Sequence, residues 1–168
     1  FISSLYLSHN LPKVLMFSGN KGSGKSTLIN HFLFSIFDAE NYNIDKFYLS
    51  KNSLFLNQFK NDIFSNIIYI SGADFKSVKV DDIRNLKSKI LQSSIINKDR
   101  FIIFDDIDLF NPNSLNALLK IIEEPTKKNF FLLINNKSKP LLETIKSRAL
   151  EIKVILNESQ RLAIIDKL

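Results

Sequence analysis

The 168 residues are enough for one domain and short of two, and a chain of that size can bury roughly 70% of its unfolded surface. With 45% apolar and 24% charged residues the chain is not disordered; its longest apolar run, Phe130 to Ile134, falls far below the ~20 residues that span a bilayer, and the absence of cysteine excludes disulfides, thiol nucleophiles and Cys-ligated zinc. The net charge of +6 suits a polyanionic partner, but 19 lysines with 23 isoleucines and 18 asparagines are also what the codon bias of an A+T-rich genome produces, so charge alone excludes neither. A soluble, cytoplasmic α/β domain is expected. The start at Phe1 and an end in apparent mid-helix suggest a fragment.

In chain order, Lys13–Ser18 predicts a short buried strand ending at Gly19, followed by a glycine-rich turn. Leu28, Phe32, Leu33 and Ile36 recur at helical spacing and predict a helix over Lys25–Phe37. Residues 39–66 follow no clean period. Asn66–Ser71 reads as a second strand. Val80–Gln92 reads as a helix capped by Asp81, with Ile83, Leu86 and Ile90 on one face. Phe101–Asp105 is a continuous apolar run stopped by acids, as in a strand covered on both faces. Asn111 and Pro112 predict an N-cap and first helical residue. Leu115, Leu118, Leu119 and Ile122 continue that helix until Pro125 ends it. Phe130–Asn135 is a further buried strand, Leu141–Ser147 a short helix and Glu151–Ile155 a last strand. Strands alternating with helices predict a parallel sheet with helices on both faces.

Gly19-Asn20-Lys21-Gly22-Ser23-Gly24-Lys25-Ser26, followed by Thr27, fits the phosphate-binding pattern G-x-x-x-x-G-K-[ST]. Three of the four glycines in the chain fall inside it. Without a Cβ the backbone can turn back and aim successive N–H groups at a phosphate. Lys25 is then expected to neutralise the β- and γ-phosphates of ATP, and Ser26 to offer its hydroxyl to Mg²⁺. The helix beginning there points its positive end at the same anion. Asp105, at the end of a buried strand, is the expected second holder of Mg²⁺. Asp106 stands where a hydrolytic base would be. It is one methylene shorter than the glutamate of many such ATPases, a displacement of about 1 Å that can cost ~100-fold in rate. Nucleotide binding is therefore better supported than hydrolysis. His9 and His31 read as structural.

Asn113-Ser-Leu-Asn-Ala-Leu-Leu-Lys-Ile-Ile-Glu-Glu-Pro125 resembles the "NALLKxLEEP" signature of replication clamp-loader subunits, which belong to the AAA+ class. Leu141-Leu-Glu-Thr-Ile-Lys-Ser147-Arg148-Ala149 resembles that family's "LLxTIxSRC" segment, and Val80-Asp-Asp-Ile-Arg84-Asn-Leu its "IDxIRxL" lead-in. The likeness covers about Leu11 to Ile155. It implies a P-loop AAA+ three-layer α/β fold with a five-stranded parallel sheet in the order 5-1-4-3-2. Residues 1–156 would form the nucleotide-binding domain, and 157–168 the start of a helical lid. It also implies roles: Asn136 as the polar sensor of the γ-phosphate, and Arg148 as an arginine finger completing a neighbouring subunit's ATP site. An arginine there stabilises charge developing in phosphoryl transfer.

The chain departs from the pattern in Ala149, in its Asp-Asp pair, and in lacking the four zinc-binding cysteines that many relatives carry within the stretch matching 39–66. No zinc is expected. These departures resemble the stator-like delta-prime subunit of bacterial DNA polymerase III more than its motor, gamma/tau. The implied partners are gamma/tau and delta subunits, the sliding clamp and primer–template DNA, with no membrane. Lys76, Lys79, Arg84 and Lys87 form a cationic stripe that either contacts DNA phosphates or is a solvated face. The competing readings are a gamma/tau-type motor that hydrolyses ATP, and a P-loop module outside replication.

Overall fold

The computed structural model describes residues 1–72, 83, 85, 98–157, 159 and 160. The chain opens with a short helix, α1 (Ile2–Leu7), then β1 (Val14–Ser18) and α2 (Lys25–Phe37). A hairpin of two-residue strands, β2 (Tyr42–Asn43) and β3 (Tyr48–Leu49), leads to α3 (Leu54–Lys60) and β4 (Ile67–Ser71). Then come β5 (Arg100–Asp105), a 3₁₀ turn at Ile107–Leu109, α4 (Pro112–Ile122), β6 (Asn129–Asn135), α5 (Glu143–Lys146) and β7 (Leu150–Lys153). Among the described residues no helix is long and apolar enough to cross a membrane.

Five strands pair in the order β4-β5-β6-β1-β7, all parallel. Numbered within the sheet alone this is 5-1-4-3-2, the expected order. The unbroken apolar runs take the centre: β1 and β6 are buried throughout and β5 up to Asp105. A strand with helices on both faces has no solvated side to mark with polar residues. Successive side chains then serve opposite layers. Val14, Met16, Ile102, Phe104, Phe131 and Leu133 pack with Leu115, Leu118, Ile122 and Ile145 of α4 and α5. Leu15, Phe17, Phe101, Ile103, Leu132 and Ile134 pack with Ile29, Phe32 and Leu33 of α2, and Ile2, Leu5 and Tyr6 of α1 lie against them.

The cap expected at Asn111 forms. The Asn111 side chain accepts the Ser114 N–H at 2.9 Å, with Pro112 opening α4. The structure departs from the sequence-based expectation in several places. Leu28 is exposed and Ile29 takes the core position in α2. In α4, Leu119 is only partly buried and Ile121 joins the core. The last strand is Leu150–Lys153, not Glu151–Ile155; the ladder ends where Val154 N–H reaches Ser18 O at 2.8 Å and the chain leaves the sheet.

Residues 39–66 owe their arrangement to aromatic contacts. Leu49, Phe55 and Phe64 form a small third core beside Phe34 and Phe37 of α2. The Phe64 ring centroid lies 4.8 Å from those of both Phe37 and Phe55, within the range of favourable edge-on packing. Ser53 caps α3 by accepting the Leu56 N–H at 2.9 Å. Of the helix expected over Val80–Gln92, Ile83 is helical and fully buried. Asp81, Leu86, Ile90 and the stripe of Lys76, Lys79, Arg84 and Lys87 lie outside the described residues, as does most of 157–168.

Candidate functional site

All strands of a parallel sheet run the same way, so the loops at their C-terminal ends gather along one edge. Here the loop after β1, the acids ending β5 and the residues after β6 converge. A polar cleft of about 300 Å³ is lined by Lys21, Gly22, Gly24, Lys25, Ser26, Thr27, Asp105, Asp106 and Asn136. Gly19, Asn20 and Ser23 lie around the back of the same loop, beside Lys137 and Val154 to Leu156. A second, mostly apolar cleft of about 720 Å³ opens on the other flank, between Phe1 to Ser3, Thr27, Leu28, His31, Tyr42, Phe47, Ile152 and Leu156.

The loop's shape depends on its glycines. Gly24 is the N-cap of α2 with φ +83°, the left-handed region that costs glycine nothing. A Cβ on Gly19 would stand 2.2 Å from the Val154 carbonyl oxygen, so only glycine lets the loop pass the end of β7 this closely. Lys25 is 3% exposed. Its ammonium donates to Gly19 O at 3.0 Å, Asn20 O at 2.7 Å and Ser23 Oγ at 3.2 Å. Burial pulls its pKa below the ordinary lysine value, against the opposing pull of Asp105, Asp108 and Asp106. These are three replaceable bonds on a desolvated cation, which is the donor set a phosphate would take over. The hydroxyl of Ser26 and the carboxylate of Asp105 line the same cleft and are the groups that could hold Mg²⁺. Among the described residues no cluster of three His, Cys, Asp or Glu could hold a metal ion alone.

The acids are held by specific partners. Asp105 accepts the Asp106 N–H at 2.8 Å and the hydroxyl of Tyr69 from β4. Asp106 is buried, has a left-handed φ of +50°, and accepts the Asn136 side-chain amide at 2.5 Å. A non-glycine residue in that conformation costs on the order of 1–3 kcal/mol and is found where the surroundings impose it. Asp108, which no sequence motif singles out, is 4% exposed. Its two carboxylate oxygens accept the backbone N–H groups of Asn136 at 3.0 Å and Ser138 at 2.7 Å. The turn after β5 thus clamps the loop after β6. The available signal is a third acid two residues beyond Asp106, inside an apolar turn.

Arg148 stands apart from all of these. It precedes β7, whose Leu150 pairs with Leu15 and whose Lys153 pairs with Ser18. It therefore lies at the opposite edge of the sheet from the loop, roughly 15 Å away at ~3.3 Å per residue, too far to reach its own chain's cleft. Its guanidinium meets the Glu123 carboxylate at 2.6 Å and donates to Thr144 O at 2.9 Å.

The sequence profile of the family described as "DNA polymerase III, delta subunit" matches residues 2–157. The chain is 34% identical over 76 residues to the DNA polymerase III subunit delta′ of Pseudomonas aeruginosa, covering 45% of this chain and 23% of that protein. To the tau/gamma subunit of Haemophilus influenzae it is 27% identical over 153 residues, 90% of this chain and 22% of that one. Among solved structures, a DNA polymerase III gamma-subunit-related protein of Thermotoga maritima superposes with a TM-score of 0.68 at 19% identity, covering 98% of this chain and 49% of that one. The RuvB Holliday junction branch migration motor of the same organism gives 0.58 at 16% identity, covering 99% and 45%. The fold is that of the AAA+ P-loop proteins, and the chain spans a quarter to a half of the length of these relatives.

Proposed function

The chain belongs to the DNA polymerase III delta-subunit family of clamp-loader proteins, and on that premise we propose that it is a delta-prime-type subunit that binds ATP and donates Arg148 to a neighbour. Its place would be in the cytoplasm, beside gamma/tau and delta subunits, helping to set the sliding clamp on primer–template DNA. The backbone of residues 19–24 and the ammonium of Lys25 would hold the phosphates, with Thr27 at the mouth of the cleft. Ser26 and Asp105 would hold Mg²⁺, which when bound supplies positive charge to the β- and γ-oxygens. Asn136 would read the γ-phosphate while keeping Asp106 in place. The apolar cleft beside Thr27 and Leu28 offers the base an unspecific, mostly hydrophobic seat. Residues 1–156 would be the nucleotide-binding domain and 157 onward the beginning of a lid.

One observation carries this reading: Lys25, Asp105, Asp106 and Asn136 share a cleft, while Arg148 lies beyond reach of it at the other edge of the sheet. A guanidinium so placed is out of reach of its own cleft, which supports a role at a site on another molecule. The test is Arg148→Ala in the full-length subunit, reconstituted with its clamp-loader partners. Nucleotide binding by the subunit itself should stay within about twofold, while the DNA-stimulated ATPase of the complex falls by about 10³-fold or more at the neighbouring site. Unchanged ATPase would overturn the finger assignment. The likeness to tau/gamma over 90% of the chain favours a second reading, an ATP-hydrolysing motor. Turnover by the subunit alone that disappears in Asp106→Asn would support it.

A further inference from the structure

We propose that Glu123 is a positioning residue for Arg148, holding the guanidinium in the direction from which it meets a neighbour's phosphates. The inference rests on the finger reading above and adds a residue to it. Glu123 is the residue at which α4 ends; its backbone is still helical, and its N–H still bonds Leu119 O at 2.9 Å. The position of its backbone is thus set by α4. That helix is fixed at one end by the Asn111 cap and along its length by buried Leu115, Leu118, Ile121 and Ile122.

Arg148 is anchored as firmly. Its N–H bonds Ile145 O at 3.2 Å, Ile145 is fully buried, and Ala149 packs on the same core that seats α4. One apolar layer therefore places both backbones before the side chains meet. The guanidinium then has two fixed points, the Glu123 carboxylate at 2.6 Å and the Thr144 carbonyl at 2.9 Å. Arginine has five donors in a rigid fork, so donors remain for a phosphate.

An ion pair at this exposure, 38% for Arg148 and 44% for Glu123, contributes little to stability. What it changes is direction: without it a long side chain samples many rotamers. Lys146 and Glu143, on the short helix just before Arg148, are paired with each other at 2.7 Å. Glu123 also sits at the far end of the helix that begins shortly after Asp105 and Asp106.

The test uses the full-length subunit in the reconstituted complex, with Glu123→Gln, Arg148→Ala and the double variant. Two readouts are taken: DNA-stimulated ATPase, and affinity of the complex for a fluorescent non-hydrolysable ATP analogue. Glu123→Gln should lower both by about three- to tenfold, a coupling of ordinary size for contacting residues. It should have no further effect in the Arg148→Ala background, and Glu123→Asp should recover part of the loss. If Arg148→Ala lowers the ATPase while Glu123→Gln stays within twofold, the positioning role is wrong and the finger stands. If Arg148→Ala is silent, the finger falls and this inference with it. An equal loss from Glu123→Gln with and without Arg148 would show that Glu123 acts on the fold, which also overturns the proposal.

Discussion

Replacing Asp108 by alanine is the most direct probe of how the candidate site is built. The buried carboxylate accepts two backbone N–H groups, from Asn136 at 3.0 Å and Ser138 at 2.7 Å, and those bonds join the turn after β5 to the loop after β6. A hydrogen bond to a charged acceptor contributes about 1.5–3 kcal/mol. Ser138 is exposed and Asn136 half-buried, so water takes over part of what is lost, and the expected cost is near the lower bound of the pair, about 3 kcal/mol. At about 2–4 °C per kcal/mol for a chain of this size, the melting temperature should drop by about 6–12 °C. Asp108→Asn keeps one acceptor but turns an NH₂ toward the second N–H, so it should lie between wild type and alanine. The loss should also be local. Amide exchange at Asn136 and Ser138 should quicken well before that of buried β5 and β6, because opening the loop does not require unfolding the sheet. A melting temperature within about 1 °C of wild type, with unchanged exchange at those two amides, would refute the clamp.

Two further outcomes are expected from the same geometry. Gly19→Ala puts a Cβ 2.2 Å from the Val154 carbonyl oxygen, a backbone atom that cannot rotate away; a loss of about 1–3 kcal/mol in urea unfolding is expected, with weaker nucleotide binding, and an unaffected midpoint would contradict the close approach. His31 is partly buried, its Nδ1 lies 3.0 Å from the Tyr42 hydroxyl, and burial lowers its pKa below the ordinary 6.5. The unfolded chain therefore binds this proton more readily than the folded one. The contribution is complete above about pH 6.5 and is lost as pH falls below it through the lowered folded value. Stability measured between pH 7 and pH 5 should decline more steeply in wild type than in His31→Gln, and parallel curves would rule out the linkage.

How much of this is readable in the sequence depends on whether the deciding forces are local. The bounds of α2 are legible because a glycine-rich loop starts it and Asp38 comes directly after its last residue. The central strands are legible because burial on both faces leaves an uninterrupted apolar run. Helical spacing groups Leu28 with Phe32, Leu33 and Ile36, yet Leu28 is exposed and Ile29 fully buried, because spacing alone does not choose between two adjacent apolar residues. Residues 39–66 resist altogether: two-residue strands have no period, and what holds them is Phe34 and Phe37 from α2 meeting Phe55 and Phe64. α1 has no buried residue of its own and no side-chain cap. It is held through Tyr6, whose ring packs on Phe32, Phe101 and Phe130 and whose hydroxyl donates to Asp99 at 2.9 Å. In the site, the loop and the two acids are visible as spacing. Asp108 and Tyr69 are not, because each bonds a residue brought near only by the sheet; Glu123 lies inside the Glu-Glu-Pro segment, but nothing in the spacing points to its contact with Arg148.

The electrostatics of the cleft explain why a polyphosphate would need a divalent cation there. Three aspartates surround Lys25, and each favours its charged form, yet burial still lowers its pKa on balance. The three carboxylates are not equivalent. Both oxygens of Asp108 accept backbone N–H groups, and its charge still favours the ammonium of Lys25. One oxygen of Asp106 faces the Asn136 amide. Asp105 shares its oxygens with a backbone N–H and the Tyr69 hydroxyl but borders the cleft beside Ser26. An anion entering the loop would find one buried lysine and the N-terminus of α2 in its favour, with three carboxylates opposed. At short range and reduced dielectric such repulsion amounts to several kcal/mol. A cation shared between Asp105 and the phosphates turns that repulsion into attraction. Nucleotide affinity should accordingly be far more Mg²⁺-dependent than in a cleft lined by lysine alone, and Asp105, the less enclosed acid, is the residue through which the dependence would act.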